Sequence, residues 1–258
     1  MTLKQKLDKH YKDFDRTKLK PDPLQFLHLF YDEKDIELIG FFASVFAYGN
    51  VKQIENTMLK IVDAFNGSPF TFICNFSPKE DWEKLKHIKH RFYSNADIKN
   101  LFTIVSKKIN ESGSFKEIFL SGYNPNDSNV KNGIENFSRF FLNSFTKSNI
   151  HITRGIQFMF PLPEKGSACK RMNLYLRWMV RRDELDTGLW NEISTSKLII
   201  PVDTHIAKIS KSLNLTKLHN VSWKMAEEIT QNLKKFDAFD PVKYDFALCH
   251  IGMRKMKF

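Results

Sequence analysis

The 258-residue chain has few cysteines, a deficit of acidic charge and no long apolar run. Cys74, Cys169 and Cys249 stand far apart, with no CxxC pair and no even-numbered framework. That excludes a disulfide-stapled scaffold and points to a reduced, cytoplasmic setting. Three thiols also fall short of the four-cysteine set that holds an iron–sulfur cluster. The opening segment, Met1 to His10, has no apolar signal core. The longest largely apolar stretch, Leu38 to Tyr48, is too short to span a bilayer, so no membrane role is expected. Neither an internal repeat nor strand-like alternation is present. His205 and His250 have no Cys or carboxylate at a ligand spacing. Hence no metal and no other cofactor is expected.

Basic charge, by contrast, is plentiful. The 40 Lys and Arg against 29 Asp and Glu give a formal +11. Such an excess favours polyanions through counterion release, making nucleic acid the leading partner class. A Lys-, Asn-, Ile- and Phe-rich composition from an AT-rich genome produces the same charge, so charge alone decides nothing. The 42% hydrophobic content, with 24 Phe, excludes a disordered chain. The length suits one large domain or two small lobes.

Helical periodicity runs almost throughout. Ile36, Ile39, Phe42, Ala43, Phe46 and Ala47, broadened by Phe41 and Val45, make Asp35 to Ala47 a helix apolar on most sides. Such a helix belongs at the centre of a helical fold. Tyr48-Gly49-Asn50 stops it, and Ile54, Met58, Ile61, Val62 and Phe65 mark the next. Further helices are read over Ala96 to Glu111, from Ile134 through Phe145, and from Ser167, as cap, to about Arg182. The last are Asp203 to Leu213, Ser222 to Phe236 and Pro241 to Met253. Asn66-Gly67-Ser68-Pro69 and Tyr123 to Gly133 are loops, and Phe158 to Gly166 is extended or turning around its prolines.

Lys170 and Asp203 carry the chemistry. Lys170 falls in the first turn of its helix, where the macrodipole disfavours an ammonium ion and Lys165 and Arg171 push the same way. An unprotonated amine is a nucleophile, and with a carboxylate from another helix it can do imine chemistry on a sugar. Asp203 directly precedes a helix and is a favoured N-cap. Its carboxylate can also stabilise oxocarbenium charge as a base departs, and the two roles are compatible. Each residue has a plainer alternative: a surface lysine among 40 basic residues, and a cap with no further role. Lys170, Arg177 and Arg181 recur along one helical stripe flanked by Arg171 and Arg182, which suits either phosphate contacts or a solvated face. Trp178, Trp190 and Trp223 are candidates for stacking on a flipped base or for packing in the core.

These residues also resemble a known family. Pro201-Val-Asp-Thr-His-Ile206, followed by Lys208, Ser210, Leu213 and Leu215, resembles the catalytic-aspartate segment of helix-hairpin-helix DNA glycosylases such as endonuclease III. Gly166-Ser-Ala-Cys-Lys170 is similar to the end of that family's hairpin, a glycine four residues before the catalytic lysine. The helix ending in Ala47-Tyr-Gly-Asn-Val-Lys-Gln53 is similar to the opening of its six-helix barrel. Asp203 follows Lys170 by 33 residues, longer than in endonuclease III and similar to the archaeal 8-oxoguanine glycosylase branch. Ala168 stands where the hairpin's second glycine would fall.

The resemblance implies an all-α, two-lobe fold with the site between the lobes. A barrel lobe over residues 34–195 would carry the hairpin, and residues 1–33 and 196–258 would form the second lobe. It implies Lys170 as Schiff-base nucleophile and Asp203 as the essential carboxylate. Gly166, Ser167, Arg171, Arg177 and Arg181 would contact DNA, and Asp245 and Cys249, one turn apart, would line the base pocket. The expected function is excision of a damaged purine such as 8-oxoguanine from double-stranded DNA, with AP lyase activity, by a monomer. The alternative is a nucleic-acid-binding protein of the same fold without catalysis.

Overall fold

The computed structural model describes residues 1–254. Among them the regular structure is helical, and pairing of extended backbone is limited to two isolated bridges, His90 with Tyr93 and Arg182 with Thr187. The α-helices are α1 (Leu3–Lys12), α2 (Glu33–Phe46), α3 (Val51–Phe65), α4 (Pro69–Cys74), α5 (Trp82–Leu85), α6 (Asn95–Ser112) and α7 (Phe115–Leu120). They continue with α8 (Lys131–Lys147), α9 (Arg154–Met159), α10 (Lys170–Val180), α11 (Thr204–Ser212), α12 (Trp223–Lys234) and α13 (Asp245–Arg254). The all-α class is as expected.

The chain divides into two compact units. The first takes Met1–Leu19, Pro125–Lys131 and the chain from Leu162 onward; the second takes Lys20–Asn124 and Asn132–Pro161. This division differs from the expected one, because residues 162–195, with α10, group with the chain ends. Polar contacts hold that segment there: Tyr11 on α1 donates to Asp183, Arg16 to the Glu184 carbonyl, and Arg181 to Asp240.

The second unit is built on α2, whose residues from Glu37 to Phe46 are all buried. Its N-terminus is capped by Asp32, which accepts the N–H groups of Lys34 and Asp35. Asn50 caps α3, and Asn66, with φ +49, ends it in the left-handed region. Ser94 and Asp97 form a capping box on α6. The core is phenylalanine-rich: Phe41 stacks on Phe115 at 4.1 Å, and Phe42 on Phe102 at 4.6 Å. Glu37, though buried, is satisfied, because its carboxylate accepts the N–H groups of Phe115 and Lys116 and so caps α7. Trp82 is half-buried in this unit.

In the first unit α10 is buried from Arg171 to Val180. Helix α11 packs against α13, which also meets α1. Ser222, expected as the first residue of its helix, instead caps α12 through the Met225 N–H. Trp178, Trp190 and Trp223 are all fully buried here. They are core residues, which removes the expectation of a stacking role at the surface.

Candidate active site

The segment Ile199 to Val202 is buried and non-helical, and it delivers Asp203 in an extended conformation, φ −120°, to the start of α11. Asp203 Oδ1 accepts the backbone N–H groups of His205 at 2.9 Å and Ile206 at 3.0 Å. Two orphan donors of the helix are thereby satisfied. The other carboxylate oxygen, Oδ2, lies 3.0 Å from Lys170 Nζ. One oxygen caps and the other meets the amine. Both side chains are part-exposed, 33% for Lys170 and 21% for Asp203, so the pair is fixed yet reachable from solvent. Each residue comes from a helix of the first unit, so the pair is made within one unit rather than by one residue from each.

Burial pushes the Asp203 carboxyl up. The Lys170 ammonium, the Ile206 N–H and His205 pull it down more strongly, and the net shift is below the ordinary carboxylate range. Asp203 is therefore ionised near neutral pH. A nucleophilic Lys170 must give up a proton, and Asp203 Oδ2 is an acceptor in contact with it.

The hairpin before Lys170 is a 3-10 turn, Pro163–Lys165, closed by Gly166 at φ +82°. A Cβ there would meet nothing within 4 Å, so backbone conformation, not crowding, requires glycine. The Gly166 N–H donates to Pro163 O, and Gly166 O accepts the Trp223 N–H, fastening the hairpin to α12. Ser167 differs from expectation. Helix α10 starts at Lys170 after Cys169, which has no side-chain cap, while Ser167 Oγ accepts the Cys169 N–H. Gly166 is exposed and Ser167 half-buried.

The expected DNA contacts of Arg171, Arg177 and Arg181 are corrected. Arg171, Arg177 and Arg181 are buried, and the last two are ion-paired. Arg177 donates through Nε and Nη2 to Asp186 Oδ1, and through Nη1 to Asp245 Oδ2. Arg181 donates to both oxygens of Asp240 and to Asp183 and Asp186. These guanidiniums face carboxylates, not phosphates. Asp245, the first residue of α13, is likewise engaged with Arg177 rather than lining a base pocket. Cys249 is half-buried one turn further along.

Sequence reasoning missed Asp183, Asp186 and Asp240. The acidic run closing Arg181-Arg-Asp-Glu-Leu-Asp186 was the available signal. Burial pushes Asp186 up and outweighs the lowering by Arg177 and Arg181. Asp183, also raised by burial, ends below the ordinary range because Arg181 and backbone N–H groups dominate. Among the described residues no group of three or more His, Cys, Asp or Glu is placed to hold a metal ion, and no helix is long and apolar enough to cross a membrane.

A family model described as protein of unknown function (DUF2400) matches residues 22–254. The chain belongs to this family. No curated protein and no solved structure matches it. The DUF2400 match begins at Asp22, ahead of α2, and runs to the end of α13, so it contains both Lys170 and Asp203, whereas α1 lies outside it.

Proposed function

We propose that this DUF2400 chain is a DNA glycosylase with AP lyase activity, in which Lys170 is the nucleophile and Asp203 the assisting carboxylate. The observation that carries the reading is the 3.0 Å approach of Lys170 Nζ to an Asp203 oxygen left free by the cap. In the reaction, the Lys170 proton passes to Asp203 and the amine attacks C1′ of the deoxyribose. The C1′–N bond breaks with its electron pair going to the base, which takes the proton from Asp203 as it leaves. The Asp203 carboxylate, its charge restored as that proton is given up, stabilises the oxocarbenium character of the step. The sugar ring opens to a C1′ imine on Lys170, and loss of a C2′ proton with cleavage of the C3′–O bond completes the lyase step.

The substrate we propose is a damaged purine such as 8-oxoguanine in double-stranded DNA. The interval between Lys170 and Asp203 supports that choice, as does the exposed Gly166 in the turn just before the nucleophile. The net +11 charge supports a polyanionic partner.

The test is borohydride trapping on a panel of lesion and abasic duplexes. Borohydride reduces the imine to an amine, fixing a protein–DNA adduct on Lys170. Lys170→Gln, with Gln a good helix former, is expected to abolish the adduct while the protein stays folded. An undiminished adduct in that variant removes Lys170 from the mechanism. Duplex binding with no adduct on any substrate would instead select the non-catalytic member of the same fold.

A further inference from the structure

Helix α10 presents Lys170 at its N-terminus and Arg177 seven residues later, about 10 Å along the axis and within about 20° of the same stripe. Arg177 joins α10 to the start of α13 through Asp245. Its other edge is held by Asp186. Helix α13 packs along α11, and α11 returns to α10 through its cap, Asp203, at Lys170. Three helices thus close a triangle. Two of its corners are polar contacts, Arg177 with Asp245 and Lys170 with Asp203; the third is the α11–α13 packing. Both side chains of the Arg177–Asp245 corner are 3% exposed, whereas Lys170 and Asp203 are open to solvent. The buried corner is therefore shielded from screening in a way the open one is not.

We propose that Arg177 and Asp245 are positioning residues that hold Lys170 against Asp203. The inference rests on Lys170 and Asp203 being the reacting pair. It replaces the DNA-contact and base-pocket roles with a mechanical one: the buried ion pair sets the height of α10 against α13. A small slip of α10 would open the amine–carboxylate contact, and displacement by about 1 Å can cost on the order of a hundredfold in rate.

The contact can be read without DNA. A water-soluble carbodiimide activates the Asp203 carboxyl as an O-acylisourea. Lys170 Nζ then displaces the urea, forming an isopeptide bond only when the two groups touch. Peptide mass spectrometry gives its yield relative to a reference cross-link, Lys108 to Glu111 on α6, which lie 2.6 Å apart in the second unit. Asp245→Asn is expected to lower the ratio about tenfold in folded protein. The double variant Arg177→Gln/Asp245→Asn removes a charge pair with no net change and is expected to do the same, separating position from long-range electrostatics. An unchanged ratio in either folded variant overturns the proposal, as does absence of the Lys170–Asp203 cross-link in the wild type. Should both variants fail to fold, Asp245→Glu keeps the charge and lengthens the arm by one methylene. A lowered ratio there supports the triangle, and an unchanged one refutes it. A chain that makes no DNA adduct yet shows the lowered ratio would end the glycosylase reading and leave the positioning role standing.

Discussion

Asp203→Asn separates the two oxygens of one carboxylate. The amide oxygen of Asn can accept the His205 and Ile206 N–H groups as Oδ1 does, and Asn is an N-cap about as good as Asp. What disappears is the charge on the atom 3.0 Å from Lys170 Nζ. Because that pair is part-exposed, its own contribution to folding is screened and stays within about 1 kcal/mol. For a chain this long, that corresponds to a melting shift of no more than about 2–4 °C. Catalysis should respond on another scale. Losing one electrostatic stabiliser of a developing charge costs about 10²–10³-fold in rate. Asp203→Ala should match that kinetic loss and, by also removing the cap, cost about 1 kcal/mol more in stability. The measurements are single-turnover excision on the best lesion duplex and thermal melts of the three proteins. If Asp203→Asn excises at the wild-type rate, the carboxylate is a cap and nothing more. If instead Asn and Ala variants melt alike, the capping half of the argument fails.

Three further outcomes follow from the geometry. Gly166→Ala meets no steric obstacle, yet its φ of +82° should cost about 1–2 kcal/mol, and a variant melting like the wild type would refute the backbone argument. Arg181→Met leaves Asp183, Asp186 and Asp240 without that partner inside the first unit, so denaturant titration should show a loss of about 3–5 kcal/mol; a loss under 1 kcal/mol would mean the network is not stabilising. The Asp183 and Asp203 carboxyls are both held below their usual 3.8, so their contribution is present above that pH and lost as pH falls through the lowered folded values. Acid titration of the double Asn variant should therefore show a flatter fall below pH 3.8 than the wild type, and identical slopes would contradict the shifts.

The long helices were legible because their apolar residues repeat over several turns and their caps are chemically distinctive. Asp203 stands as the N-cap its sequence position implies, and α2 is buried nearly all round. Helices α4, α5, α7 and α9 have only four to six residues, too few turns for a period to emerge. The sequence offers phosphate or solvent as the partner of the arginine stripe, whereas Arg177 and Arg181 meet carboxylates. Periodicity tells which side chains share a face, not whether that face meets solvent or acid. Here Asp240 arrives from 59 residues beyond Arg181 and Asp245 from 68 beyond Arg177. The Lys170–Asp203 contact was anticipated on resemblance, but the use of separate oxygens for cap and amine needed coordinates.

The distribution of tryptophan gives this chain a built-in optical readout. Trp178, Trp190 and Trp223 are sealed inside the unit that holds Lys170 and Asp203, and Trp82 belongs to the other. A Trp82→Phe protein would confine indole emission to the first unit. Its red shift in denaturant would report the opening of that unit alone, while the phenylalanine-rich second unit stayed dark at the same wavelength. Comparing that emission with far-ultraviolet circular dichroism, which sees all the helices, would show whether the two units unfold together or in turn.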